Sequence, residues 1–308
     1  MEFVDHETLV ARLGPAVLVE ALRDTFAAGR IEAPPRQALT IPTESGPASL
    51  LIMPAWDAGR GIGVKVVTFF PGNAALGKPT INASFLLFDG TDGSVRAVLD
   101  GEALTAARTA AASALAADFL ARRDARVLLV VGTGKLAVPV AQAHAAVRQY
   151  ASVLIWGRRP SRADDVAAEL VAAGLPARAC SDLEAGCRAA DVVSTVTAST
   201  SPLVRGGWLR PGTHLDLIGA FRADMRESDT EAVTGASIFV DERDGALLAG
   251  DLAVPLAAGD IAESDVQADL AELVRGEHPG RRDDAERTVF TSVGLAAEDL
   301  AAALLAVE

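Results

Sequence analysis

A chain of 308 residues, half of them hydrophobic by type and 22% charged, is too apolar to be disordered and long enough for two buried cores. Its 28 Lys+Arg against 41 Asp+Glu give a net charge of −13, which argues against nucleic acid or an anionic membrane as the main partner, since both demand a net basic face. No stretch nears the ~18 unbroken apolar residues of a membrane span. The opening Met1–Glu7 has neither the basic nor the apolar part of a secretory leader, so a cytoplasmic location is expected. Cys180 and Cys187 are too few for a disulfide framework and read as small buried hydrophobes.

Residues 5–28 predict two short helical pieces, with Leu18, Ala21, Leu22 and Phe26 on one face. After the Pro34-Pro35 break, strands are predicted at 37–42, 48–53, 62–69, 83–89 and 95–100, separated by Gly- and Pro-rich turns. That is the pattern of an antiparallel meander. A long Ala-rich helix covers 105–121, and then the architecture changes. Residues 126–132 form a continuous apolar run, the mark of a strand buried on both faces. Helices at 136–149, 161–173 and 182–189 alternate with strands at 152–156, 177–180 and 191–196, and further strands follow at 214–218 and 237–240. Such alternation means βαβ units and a parallel sheet, so the fold class is α/β. A charged loop at 276–287, a strand-like run at 288–293 and a helix from Ala297 close the chain.

Gly132-Thr133-Gly134-Lys135-Leu136-Ala137 lies between the apolar strand and a helix, as G-x-G-x-x-A. Gly132 permits a tight turn, Gly134 lets the backbone approach a pyrophosphate, and Ala137 keeps helix and strand close. Free N–H groups at the helix start complete a dinucleotide site. The next strand ends in Trp156-Gly157-Arg158-Arg159, where an NAD site usually carries an acid for the ribose hydroxyl. Two arginines there instead favour the 2′-phosphate of NADP, with NAD possible.

Lys65 inside an apolar strand is costly to desolvate unless paired. Arg108 sits among small residues on the Ala-rich helix, and Arg36 follows the Pro-Pro kink. Together with a dinucleotide, these cations suggest a small anionic substrate, most simply a carboxylate held by arginine. His6, His144, His214 and His278 are scattered and no metal site is expected; His144 is read as lying on a helix surface. Ser113, Ser199 and Ser292 have no partner arrangement for nucleophilic catalysis.

In order, Pro35-Arg36, Gly63-Val-Lys65, Gly77-Lys-Pro-Thr80, Leu104-Thr-Ala-Ala-Arg108-Thr-Ala-Ala, Gly132-Thr-Gly134, Gly212-Thr-His-Leu-Asp-Leu-Ile-Gly219-Ala and Phe290-Thr-Ser-Val-Gly294 resemble the ornithine cyclodeaminase/mu-crystallin family over nearly the whole chain. The resemblance implies a Rossmann domain at 116–287 and a substrate-binding, dimerisation domain built from 1–115 and 288–308. It implies a homodimer and an amino- or imino-acid substrate. Arg36, Lys65, Thr80 and Arg108 match substrate-side positions, with Lys65 and Arg108 as the catalytic pair. Ile218 and Gly219 match residues beside the nicotinamide, and Thr197 and Ser292 are counted with them as cofactor-binding. One departure matters. Where the cyclodeaminases and related alanine dehydrogenases carry an Asp that acts on the substrate amine, this chain has Phe221. The run Leu-Asp-Leu-Ile-Gly-Ala-Phe is more similar to the Δ1-pyrroline-2-carboxylate and ketimine reductases. Reduction of a cyclic imino acid is therefore expected. Ornithine cyclodeamination or amino-acid dehydrogenation is the second reading, and an NADP-holding binder of small ligands is the third.

Overall fold

The computed structural model describes residues 1–308 except Ser45 and the side chain of Ala74. It contains two compact units, Met1–Arg108 with Leu295–Glu308, and Thr109–Gly294.

The first unit begins with β1 (Glu2–Val4), α1 (His6–Arg12) and α2 (Pro15–Ala28). Asp5 caps α1 by accepting from Thr8 N, and Gly29 ends α2 in the left-handed conformation that glycine adopts without strain. There follow β2 (Gln37–Ile41), β3 (Ala48–Asp57), β4 (Gly61–Phe69), β5 (Ile81–Asp89) and β6 (Val95–Asp100). The sheet order is β1-β6-β5-β4-β3-β2, antiparallel except that β1 joins β6 in parallel. The chain enters α3 (Gly101–Leu120), and its last helix, Ala296–Val307, packs on β3, β4 and β5 of this same sheet. Two glycines of β4 allow that approach. A Cβ on Gly61 would lie 2.8 Å from Leu304 Cδ2, and one on Gly63 would meet Phe85 at 2.3 Å and Leu300 at 3.1 Å. The opposite sheet face holds Ile52, Trp56, Ile62, Val64, Leu86 and Phe88, and none of these is fully buried.

The second unit is built from β7 (Val127–Val131), α4 (Ala137–Val147), β8 (Ser152–Trp156), α5 (Pro160–Ala172), β9 (Ala177–Ala179), α6 (Leu183–Ala189), β10 (Val192–Thr195), β11 (His214–Leu217), α7 (Thr230–Thr234), β12 (Ser237–Val240), α8 (Arg243–Ala246), α9 (Gly250–Ala258), β13 (Val266–Asp269), α10 (Leu270–Val274) and β14 (Thr288–Thr291). Its eight strands are all parallel, in the order β13-β12-β14-β11-β10-β7-β8-β9. The four residues of β10, β11 and β14 are entirely buried, as a parallel sheet covered on both faces requires. Sequence order reverses on either side of β7 and β10, the doubly wound arrangement in which ligands bind beyond the carboxyl ends of the strands.

One boundary expectation is corrected. The run at 288–293 does not belong with the terminal segments, because β14 pairs with both β11 and β12 inside the parallel sheet. The returning segment starts at Leu295, and the first crossover falls at Arg108 rather than 115, within α3.

Candidate functional site

In the second unit, the turn from β7 to α4 carries the glycine loop. Gly132 has φ +132°, a conformation that side chains rarely adopt, and a Cβ there would strike Val196 Cγ2 at 2.7 Å. Its N–H donates to Trp156 O at 2.8 Å, which fixes the loop to the end of β8. Gly134 and Lys135 are exposed, and nothing lies within 4 Å of a Cβ built on Gly134. Ala137 is fully buried against the sheet. A bare, open backbone at Gly134 beside the first turn of α4 fits a pyrophosphate. Trp156 and Gly157 are half-buried at the end of β8, and Arg158 and Arg159 are exposed immediately before α5. Thr197 follows β10, and Ile218 and Gly219 follow β11, at the same carboxyl edge. Ser292 is buried, and its hydroxyl donates to Asp241 Oδ2 at 3.0 Å. The same oxygen accepts from Val293 N and Gly294 N, so that hydroxyl serves the loop after β14. Burial raises the Asp241 carboxyl above its ordinary value.

In the first unit, Lys65 and Arg108 come together through residues that sequence reasoning passed over. Lys65 Nζ lies 2.9 Å and 2.7 Å from the two carboxylate oxygens of Asp299. Arg108 donates from Nε to Asp299 Oδ1 at 2.9 Å and from Nη1 to Glu298 Oε2 at 2.7 Å. All four side chains are buried. Glu298 and Asp299 occupy the first turn of the C-terminal helix, whose unpaired N–H groups and dipole favour negative charge, and Glu298 also accepts from Leu295 N. Gly63, two residues before Lys65 on the same sheet face, is what brings this helix close enough for the pairing. The two cations are therefore compensated within this unit: two carboxylates neutralise them, which meets the cost of desolvating Lys65. Burial, with the neighbouring Arg108 charge, lowers Lys65 from 10.5 to about 8, partly offset by Asp299. Arg36 is half-buried just before β2, and Thr80 precedes β5, its carbonyl accepting from Phe70 N.

Phe221 follows β11 and is 36% exposed, with the Arg222 guanidinium carbon 5.9 Å from its ring centre. Arg222 grips Asp224 through Nε at 2.8 Å and Nη2 at 2.7 Å, a fork that holds the Asp224 carboxyl below its ordinary range. One sequence expectation is corrected in the core of this unit: His144 is completely buried on α4, not on its surface. Ser113 is tied into a polar cluster there. Ser113 Oγ lies 2.9 Å from His144 Nε2 and 2.5 Å from Asp216 Oδ2, and Ser194 donates to the same oxygen at 2.6 Å. His144 meets serine and aspartate through one ring nitrogen, and all three groups are fully buried, so this is a structural cluster rather than a nucleophilic relay. His214 is buried beside Thr288, and desolvation lowers it to about 3, which keeps it neutral. Among the described residues no group of His, Cys, Asp and Glu could hold a metal ion, and no helix is long and apolar enough to cross a membrane. A surface groove of about 790 Å³ in the first unit, between α2 and the C-terminal helix, includes neither Lys65 nor Arg108.

The sequence profile of the ornithine cyclodeaminase/mu-crystallin family matches residues 1–308. The Δ1-pyrroline-2-carboxylate reductase of Paracoccus denitrificans is 39% identical over 301 residues, which cover 97% of this chain and 94% of that protein. The Thermococcus litoralis Δ1-pyrroline-2-carboxylate reductase, solved with NADH and L-proline, superposes with a TM-score of 0.93 at 32% identity, covering 100% of this chain and 96% of that one. An archaeal alanine dehydrogenase dimer with bound NAD gives 0.91 at 30% identity, covering 100% and 95%.

Proposed function

The chain belongs to the ornithine cyclodeaminase/mu-crystallin family, and from that premise we propose that it reduces a cyclic 2-imino acid of the Δ1-pyrroline- or Δ1-piperideine-2-carboxylate type to the L-amino acid. The observation that carries this reading is the engagement of the carboxylates on β11 and in the segment after it. Asp216 is buried against Ser113 and Ser194, Asp224 is held by Arg222, and Glu227 is buried in hydrogen bonds to Thr195, Thr197 and Gly219. Oxidative deamination needs a group that holds and deprotonates a substrate ammonium. Two residues beyond Gly219 the chain offers the ring of Phe221, which suits the methylenes of a preformed imine.

In this account Arg108 and Lys65 bind the substrate carboxylate, with Arg36 and Thr80 on the same side of the ligand, and Glu298 and Asp299 fix the two cations in place. Bound NAD(P)H supplies the hydride for the imine carbon. Lys65, lowered to about 8, remains protonated at neutral pH and can give a proton to the imine nitrogen. The test is a comparison of substrates. Pyrroline-2-carboxylate should drive NAD(P)H oxidation, L-ornithine should release no ammonia, and Phe221→Asp should gain at most a trace of deamination. Rapid ammonia release from ornithine by the wild type would overturn the assignment.

Gly132, Thr133, Gly134, Lys135, Leu136 and Ala137 are assigned to the pyrophosphate, and Trp156, Gly157, Arg158 and Arg159 to the adenosine end, with NADP preferred. The exposed arginines at the end of β8 support this, since a guanidinium pairs bidentately with a phosphate. Arg158→Glu should weaken NADPH far more than NADH in a fluorescence titration. Equal loss for both would assign the arginine to solvent alone.

A homodimer is proposed as well. Ile52, Trp56, Ile62, Val64, Leu86 and Phe88 form one apolar sheet face that is not fully covered, the kind of patch that marks an interface. Val64→Asp should convert the dimer to monomer in sedimentation at micromolar concentration. A wild-type monomer under those conditions would contradict the proposal.

A further inference from the structure

Glu227 is fully buried beyond the end of β11, and each of its carboxylate oxygens takes one backbone N–H. Oε1 accepts from Thr197 N at 2.6 Å and from Thr197 Oγ1 at 2.7 Å. Oε2 accepts from Gly219 N at 2.8 Å and from Thr195 Oγ1 at 2.8 Å. The ladder between β10 and β11 ends at Thr195 and Leu217, so this carboxylate continues the tie between the two segments where the strand pairing stops. Gly219 is interlocked with both partners: a Cβ on it would lie 2.2 Å from Thr197 O and 2.6 Å from Glu227 Oε1. Glu227 is itself anchored, since its N–H and that of Ser228 donate to Asp251 at the start of α9.

We infer that Glu227 is a positioning residue for the nicotinamide ring, clamping Thr197 to Gly219 so that the carboxyl edge of β10 and β11 presents one fixed surface to it. This rests on the proposed reading that NAD(P)H binds at that edge, where doubly wound sheets hold their ligands. The clamp requires a carboxylate. A glutamine of the same shape has one oxygen and one NH2, so either orientation sets the NH2 against the N–H of Thr197 or of Gly219. Burial and the negative charge of Asp251 raise Glu227 to about 7, a sign of how much desolvation the tie absorbs.

The experiment is a titration of the full-length Glu227→Gln variant with NADPH, NADH, ADP-ribose and 2′-phospho-ADP-ribose. The last two keep the pyrophosphate and lack only the nicotinamide ring. The variant should bind the nicotinamide cofactors about tenfold or more weakly, the scale of one lost hydrogen bond to a charged group. It should bind the ADP-riboses within about twofold of wild type. Equal weakening of all four ligands, or no change in any, would overturn the inference and leave Glu227 a scaffold residue. If Glu227→Gln does not fold, Thr195→Val removes one donor to the same oxygen at constant shape and should show the same split on a smaller scale. Wild type that binds none of the four ligands would overturn the cofactor reading itself, and the inference with it.

Discussion

Arg108→Ala is expected to lower kcat/KM for the imino acid by two or more orders of magnitude and to destabilise the fold at the same time. The first effect follows from losing a charged, hydrogen-bonded partner of the substrate carboxylate, roughly 2–5 kcal/mol where 1.4 kcal/mol is a factor of ten. The second follows from Glu298 and Asp299, which are fully buried and both bonded to Arg108. Breaking a buried pair by removing one partner costs about 3–5 kcal/mol, because a buried charge is left behind. The denaturant midpoint should fall sharply. A variant with normal midpoint and normal turnover would remove Arg108 from both roles. Arg108→Ala together with Glu298→Gln separates them, since Asp299 then still neutralises Lys65, so stability should recover in part while turnover should not.

Lys65 provides the second large effect. Replacing it with Met should cost about 10² or more in turnover if it supplies the proton, the usual scale for a positioned acid. Its pH dependence has a definite sign. With a folded-state value of about 8 against an ordinary 10.5, the side chain is a charged donor below about 8 and neutral above it. Turnover should therefore fall as pH rises from 7 to 9. Lys65→Arg keeps a cation beside Asp299 but stays charged throughout, so that limb should vanish from its profile. Persistence of the limb in Lys65→Arg would assign it to the substrate or to another group. The linkage to stability runs the other way. Between about 8 and 10.5 the unfolded chain holds a proton that the folded chain has released, so the contribution of Lys65 to stability rises with pH across that window.

The parallel sheet was readable from sequence because its strands are buried on both faces. Val127–Val131 and Val192–Thr195 appear as unbroken apolar or small runs between amphipathic or Ala-rich segments. β13 and the short helices α7 to α10 lacked that signal; Val266–Asp269 is a four-residue strand with alternating burial, at the sheet edge. The run at 288–293 was recognised as a strand, but its place between β11 and β12 depends on pairing across long stretches of chain, which local periodicity does not carry.

The candidate site divides in the same way. The glycine loop could be found because turn, strand and helix all lie within a few residues. Lys65 and Arg108 stood out as charges in apolar or small-residue surroundings, but their compensation did not. Asp299 lies 234 residues from Lys65, and Glu298-Asp299 reads locally as an ordinary acidic first turn of a helix. His144 was misplaced for a related reason. α4 is mostly alanine and valine, so no polar face told which side would be buried.

Hydride transfer to an imine carbon is the central claim, and it is tested most directly by isotope. The protein is incubated with Δ1-pyrroline-2-carboxylate and NADPH or NADH deuterated at the transferable position of the ring, and the product is analysed by chiral chromatography and mass spectrometry. The account predicts L-proline carrying a single deuterium at its α-carbon, formed at a rate that depends on the protein. Contradiction would be unlabelled substrate left unchanged in that reaction, with L-ornithine converted to proline and ammonia by the same preparation.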